Sequence, residues 1–224
     1  MSVSVFRPAV AVLFASSVVV GGVAHAAPAK VAPVCNLVED AKDDTFALRY
    51  QETIHDVGGP GLYGPAEPAL DIVSADVAAD AKTITAVLRV NKLAKSASSA
   101  PGGLSYRVQF SAPGESDENM YLSAATTGAA DTFAAGTRAI TANLSTKLAD
   151  ATGVFDLAKN EIRISVPLAT FAAQGVKVGT PLSFSGLDQT SARLTPTGSS
   201  SFADVALSEK GYKVGTPSCV VPGK

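Results

Sequence analysis

The chain has 224 residues, of which 46% are hydrophobic and 17% charged, and its formal charge is −2 at pH 7. That balance excludes a disordered polyelectrolyte and leaves no basic face of the kind nucleic acid demands. The length suits one large all-β domain, less often two small ones, and is enough to bury a sizeable core.

Residues 1–26 read as an export signal. Arg7 supplies the positive start, Ala9–Val20 an apolar run, and Gly21 and Gly22 a break. Ala24-His25-Ala26 gives the small-x-small cleavage pattern. The run is shorter than the roughly 20 residues that a membrane-spanning helix needs; a retained anchor is the weaker alternative. The expectation is therefore a secreted, extracellular protein with no stable membrane insertion after signal removal. Residues 27–224 are expected to form a single β-sandwich domain. Cys35 and Cys219 lie near the two ends of that domain. Export to an oxidising compartment predicts one disulfide between them, with two free thiols as the alternative. His55 is the one histidine after the signal, so a Cys/His zinc site is disfavoured.

Period-two alternation then runs along the chain. Phe46, Leu48 and Tyr50 start it. Val73, Ala75 and Val77 line one face of a strand, "AADAK" turns the chain, and Ile84–Val90 return beside it. Further runs follow at Leu104–Phe110, at Met120, Leu122 and Ala124, and at Ile140, Ala142 and Leu144. "GVFDLAKNEIRISVP" repeats the hairpin design with Asp156 and Asn160 flanking its turn, and Leu182 with Phe184 closes the series. Between the runs lie stretches such as "AKSASSAPGG" and "SAPGESDEN", rich in turn formers. One short helix is expected, with Pro167 at its first position, "LATFAAQ" as its body and Gly175 at its end. "GVKVGTP" and "GYKVGTP" echo one another, read as repeated strand-entry chemistry rather than duplication. The predicted fold is all-β: a two-sheet antiparallel β-sandwich, jelly-roll or immunoglobulin-like, with one short helix.

"CNLVEDAKDD", "PALDIVSADVAADAKTITAVLRVNKLA" and "ATGVFDLAKNEIRISVPLA" resemble exported bacterial proteins of the carbohydrate-binding-module family 9-like and DOMON-like superfamily. The resemblance implies a two-sheet sandwich, ligand binding on a sheet face or at loop ends, and in some members a structural calcium ion. Its early acidic turn corresponds to Asp40 with Asp43 or Asp44, and its strand-opening acid to Asp71. The glycine that relatives place before the second early acid is absent from "AKDD", and the chain has no Trp for a sugar platform.

Calcium takes six to eight oxygen ligands. Asp40, Asp43, Asp44 and Asp71 are the best candidates, and Glu115, Asp117 and Glu118 the second group. For a ligand, Tyr63 in its Gly/Pro loop and Tyr121, opposite Met120 and Leu122 in the alternation, are the expected exposed rings. Tyr106 is expected in the core. No Gly-x-Ser-x-Gly elbow is present, and with one histidine a nucleophilic triad is disfavoured. Met120 and His55 as haem ligands are outweighed by core and surface roles. "NLS" at Asn143 is a glycosylation triplet inside an expected strand. The leading expectation is a secreted, non-catalytic domain that binds an extracellular glycan or cell-envelope polymer. A cell-surface structural or protein-interaction domain is the alternative, and a carboxylate-dependent hydrolase the weaker one.

Overall fold

The computed structural model describes residues 32–45, 67–114, 117–142, 144–185, 187–196 and 200–223. Residues 1–26 and the segment carrying Phe46, Tyr50, His55 and Tyr63 lie outside them, as do Glu115 and Asn143. Among the described residues no helix is long and apolar enough to cross a membrane.

The strands are β1 (Val38–Glu39), β2 (Ile72–Ala79), β3 (Thr83–Val90), β4 (Gly103–Phe110), β5 (Glu118–Thr126), β6 (Asp131–Ala139) and β7 (Leu144–Asp150). They continue as β8 (Thr152–Asp156), β9 (Glu161–Pro167), β10 (Pro181–Ser183), β11 (Gln189–Leu194), β12 (Ser200–Ala206) and β13 (Gly211–Lys213). Two antiparallel sheets form the sandwich, one in the order β1-β2-β3-β9-β8 and the other β12-β11-β4-β5-β6-β7. β2 packs against β11 and β12, β3 against β4, and β9 against β5 and β6. The pair β10-β13 forms a small third sheet, joined to Ser111 after β4 by a bridge at Ser183.

Alternation puts the aliphatic side chains between the sheets. Ile84, Leu88, Leu104, Val108, Leu122, Ile162 and Ile164 are all fully buried in one core. Each such side chain taken from water contributes about 1.5–3 kcal/mol, offset by the entropy of ordering the chain. Tyr106 joins them and donates its hydroxyl to the Ala69 carbonyl at 2.7 Å, which satisfies the one polar atom it buries. Met120 is likewise core.

Both expected hairpins form, and local hydrogen bonding explains why. Asp80 Oδ1 accepts from the backbone N–H of Lys82 and Thr83 at 2.7 and 2.8 Å, fixing the β2-β3 turn. Asp156 Oδ1 accepts from Lys159 N, and Asn160 adopts φ 56°, closing the β8-β9 turn in the left-handed region that Asn tolerates. The helix spans Leu168–Gln174, but as a 3₁₀ helix. Pro167 stands before it in extended conformation, still part of β9, and Gly175 ends it at φ 74°. Leu168 and Phe171 bury its inner side, and the ring of Phe171 meets Phe110 edge-on at 5.4 Å.

Ile140, Ala142 and Leu144 do not share a strand. Ile140, Thr141 and Ala142 lie in the turn after β6 and Leu144 opens β7, with Ile140 and Leu144 both exposed. β6 holds one large apolar side chain, Phe133, among Ala, Thr, Gly, Asp and Arg, and β7 only Leu144 and Leu148 among mostly polar residues, so both carry little apolar alternation. The two "G-x-K-V-G-T-P" echoes differ in structure, since only the second opens on a strand, β13. They face one another: Gly179 N donates to Val214 O and Val214 N to Thr180 O, both at 2.9 Å.

Cys35 and Cys219 form the expected disulfide, with Cα atoms 5.2 Å apart and a sequence separation of 184. Loop-closure models assign about 4–5 kcal/mol to so long a loop.

Candidate metal centre and sheet face

The acidic site is assembled where three segments meet at one edge of the sandwich. β1 pairs with β2, and Asp40 N continues that ladder onto Val73 O at 3.0 Å. The chain then turns. Asp43, at φ 65°, donates its N–H to Asp71 Oδ2 at 2.9 Å. Asn91 Nδ2 donates to the same Asp71 oxygen at 2.9 Å and to Asp43 Oδ1 at 3.2 Å. Asp71, fully buried, thus holds the turn from below with one oxygen, while its Oδ1 has no hydrogen-bond partner among the described residues.

The third contributor comes from the far end of the chain. Asp204 lies on β12, at a register irregularity against Ser191 and Ala192 of β11. β2 is also irregular between Ile72 and Ser74. Such bulges re-aim side chains. Asp204 is 2% exposed and accepts from Ile72 N at 2.6 Å and from Val205 N at 2.8 Å.

Carboxylate oxygens of Asp40, Asp44 and Asp204 all fall within 4.8 Å of one another. Two oxygens bound to one calcium at about 2.4 Å each are separated by no more than about that distance. Asp40 Oδ2 is a second buried oxygen without a partner among the described residues. Among the described residues none of these four aspartates is ion-paired with a Lys or Arg. Burial, and then the neighbouring carboxylates, push Asp204 up to about 7 and Asp40 up to about 6. Asp44 is raised by burial and by Asp71. Asp204 is buried, Asp40 partly buried and Asp44 exposed, and such a concentration of carboxylate favours either protonation or a hard cation. The donor set of oxygens and the two orphaned buried oxygens fit calcium.

Of the residues expected at this site, Asp40 and Asp44 enter the cluster, Asp71 abuts it, and Asp43 serves the turn. Asp204 is the residue that sequence reasoning missed. Its one local signal is an acid in a strand of otherwise small and apolar residues. In the second group, Asp117 is exposed and Glu118 partly buried; among the described residues neither joins a cluster.

Tyr121 lies on the outward face of the six-stranded sheet, as its place in the alternation requires, yet it is only 5% exposed. Arg107 of β4 covers it, with the guanidinium carbon 4.4 Å from the ring centroid. Beneath the ring lies Gly136 of β6. A Cβ there would fall 2.4 Å from the tyrosine oxygen and 2.2 Å from the Thr146 carbonyl oxygen, so only glycine lets the ring lie flat. Arg107 Nη1 donates to Ser145 Oγ of β7 at 3.2 Å. Arg107 has no carboxylate partner among the described residues. Burial lowers its pKa, Tyr121 opposes that, and the charge of Arg138 adds to the lowering.

A shallow cavity of about 290 Å³ opens between Ser111–Pro113, Pro181–Ser183 and Glu209–Gly211. Its charged groups are already engaged: Lys210 Nζ donates to Asn36 O at 2.8 Å, and Glu209 accepts from Ser185 at 2.7 Å. No family model matches the chain, and neither the curated proteins nor the solved structures contain a match. What the structure shows is a two-sheet antiparallel sandwich with an acidic cluster at one edge.

Proposed function

We propose that the chain is a secreted, non-catalytic binding domain for an extracellular glycan or cell-envelope polymer, stapled by a structural calcium ion at Asp40, Asp44 and Asp204 with Asp71 behind them. The observation that carries this reading is the convergence of those carboxylates from three distant segments, with buried oxygens left unpartnered. A cation there ties the N-terminal segment to β2 and β12 and stiffens the sandwich that presents the ligand face. The disulfide and the signal-like residues 1–26 support export.

Thermal unfolding with EDTA or with millimolar calcium tests the reading. Calcium is expected to raise Tm at pH 7.5, and Asp204→Asn or Asp44→Asn to remove that rise. The pH trend has a defined sign. Asp40 and Asp204 have folded values of about 6 and about 7, above the ordinary 3.8. The folded protein therefore binds the extra protons, and the stability they bring is complete below about 3.8 and lost as pH rises through about 7. In EDTA, Tm should fall across that window; with saturating calcium the fall should flatten. A Tm indifferent to calcium at pH 7.5 overturns the staple. A glycan array should be bound without turnover, and hydrolysis of a bound polysaccharide would replace this reading with a hydrolase.

One observation favours a second reading, a protein-interaction domain. β7 is an edge strand with Leu144 and Leu148 exposed at 63% and 42%. Loss of a protein partner on Leu144→Lys with glycan binding intact would select it.

A further inference from the structure

We propose that the outward face of the six-stranded sheet receives the carboxylate of an acidic glycan, with Arg107 as the receptor group held on Tyr121. The proposal rests on the reading of the chain as a glycan-binding domain and names the ligand class that its sheet face takes.

Three observations carry it. The first is construction. Gly136, Tyr121 and Arg107 form a stack of backbone, ring and guanidinium, and Ser145 fixes the far edge of the guanidinium. An arginine immobilised in this way has lost its rotamer freedom before any ligand arrives, so less is lost on binding. A planar guanidinium also matches a carboxylate with two parallel donors.

The second is charge. Arg107 is partly exposed and among the described residues has no carboxylate partner. Its guanidinium is therefore open to an anion from outside. The third is the chemistry around it. Ser123 stands opposite Arg107 on β5, and Ser145 is exposed on β7. Hydroxyls that both donate and accept suit sugar hydroxyls better than they suit the side chains of an acidic peptide. A uronate unit supplies both groups, a carboxylate for Arg107 and hydroxyls for the serines.

Titration calorimetry of the mature protein at fixed calcium tests this, with trigalacturonate and its methyl ester as probes. The acid is expected to bind, more weakly at high salt, and the ester not to bind. Arg107→Gln should weaken binding by about tenfold or more, the worth of a charge-assisted hydrogen bond. Arg107→Lys, which keeps the charge but loses the fork, should fall between, and Lys177→Gln, an exposed cation elsewhere, should change nothing. Near-ultraviolet circular dichroism checks that each variant is folded. Equal binding of acid and ester overturns the proposal. So does an equal loss in Lys177→Gln, or hexaglutamate bound as tightly with the same Arg107 dependence. A protein that calcium stabilises and that binds only neutral glycans sinks this proposal and leaves the parent reading; one that binds no glycan sinks both.

Discussion

The two sheets each turn an arginine outward, and the two arginines are treated oppositely. On the five-stranded sheet, Arg89 of β3 donates to Asp76 at 2.7 Å, to Glu161 at 2.9 Å and to Ser74 at 3.3 Å. Burial alone would lower its pKa, but the two carboxylates outweigh that and raise it. The same face is roofed by the chain's own end. Val220 packs on Ala78 and Val87, and Gly223 N donates to Thr85 Oγ1 at 2.8 Å. On the six-stranded sheet, Arg107 meets an aromatic ring and a serine, and its pKa moves down. The first arginine belongs to the fold. The second is built into position with no carboxylate partner among the described residues, which is the state in which a cation retains affinity for an outside anion.

The comparison can be broken at several points. Replacing Cys35 and Cys219 together by Ser should cost about 4 kcal/mol and release the tail that roofs the five-stranded sheet. Denaturant unfolding reads the first effect and hydrogen exchange around Thr85 and Val87 the second. Next in size is Asp76→Ala. Asp76 is 1% exposed and also accepts from Leu37 N at 3.1 Å, so its loss strands a buried backbone donor and leaves Arg89 with Glu161 and Ser74 alone. About 3 kcal/mol of stability should go, at the low end for a broken buried pair because Arg89 keeps some contact with water. Gly136→Ala should cost about 2 kcal/mol by overpacking against Tyr121 and the Thr146 carbonyl, and should displace Arg107 as well. The smallest effect belongs to Arg107→Gln, under about 1 kcal/mol, the worth of an exposed cation–π contact. Equilibrium unfolding of the four variants gives the order. If Arg107→Gln proved as damaging as Asp76→Ala, the division between a structural and a presented arginine would be lost.

What the sequence determined by itself is local. Alternation fixes which side chains of a strand point inward, so the core of β3, β4 and β9 and the outward faces of Arg107 and Tyr121 were legible. The hairpin turns were legible too, because Asp80, Asp156 and Asn160 bond to backbone within three residues or adopt a conformation of their own. The helix site was read from Pro167 and Gly175, though its 3₁₀ form was not. β6 and β7 escaped notice because Phe133 in the one and Leu144 with Leu148 in the other are too few to set an apolar rhythm, while Ile140, Ala142 and Leu144 imitate a strand across a turn.

The tertiary structure decided everything that depends on which strands are neighbours. Asp204 joins Asp40 and Asp44 only because β12 ends one sheet beside the edge where β1 and β2 end the other. Tyr121 points outward as the alternation requires, but Arg107, Gly136 and Ser145 gather on it only through the order β4-β5-β6-β7. The physical reason is that side-chain periodicity is set by each residue's own backbone, whereas sheet order and register are set by hydrogen bonds and packing between segments far apart in the chain.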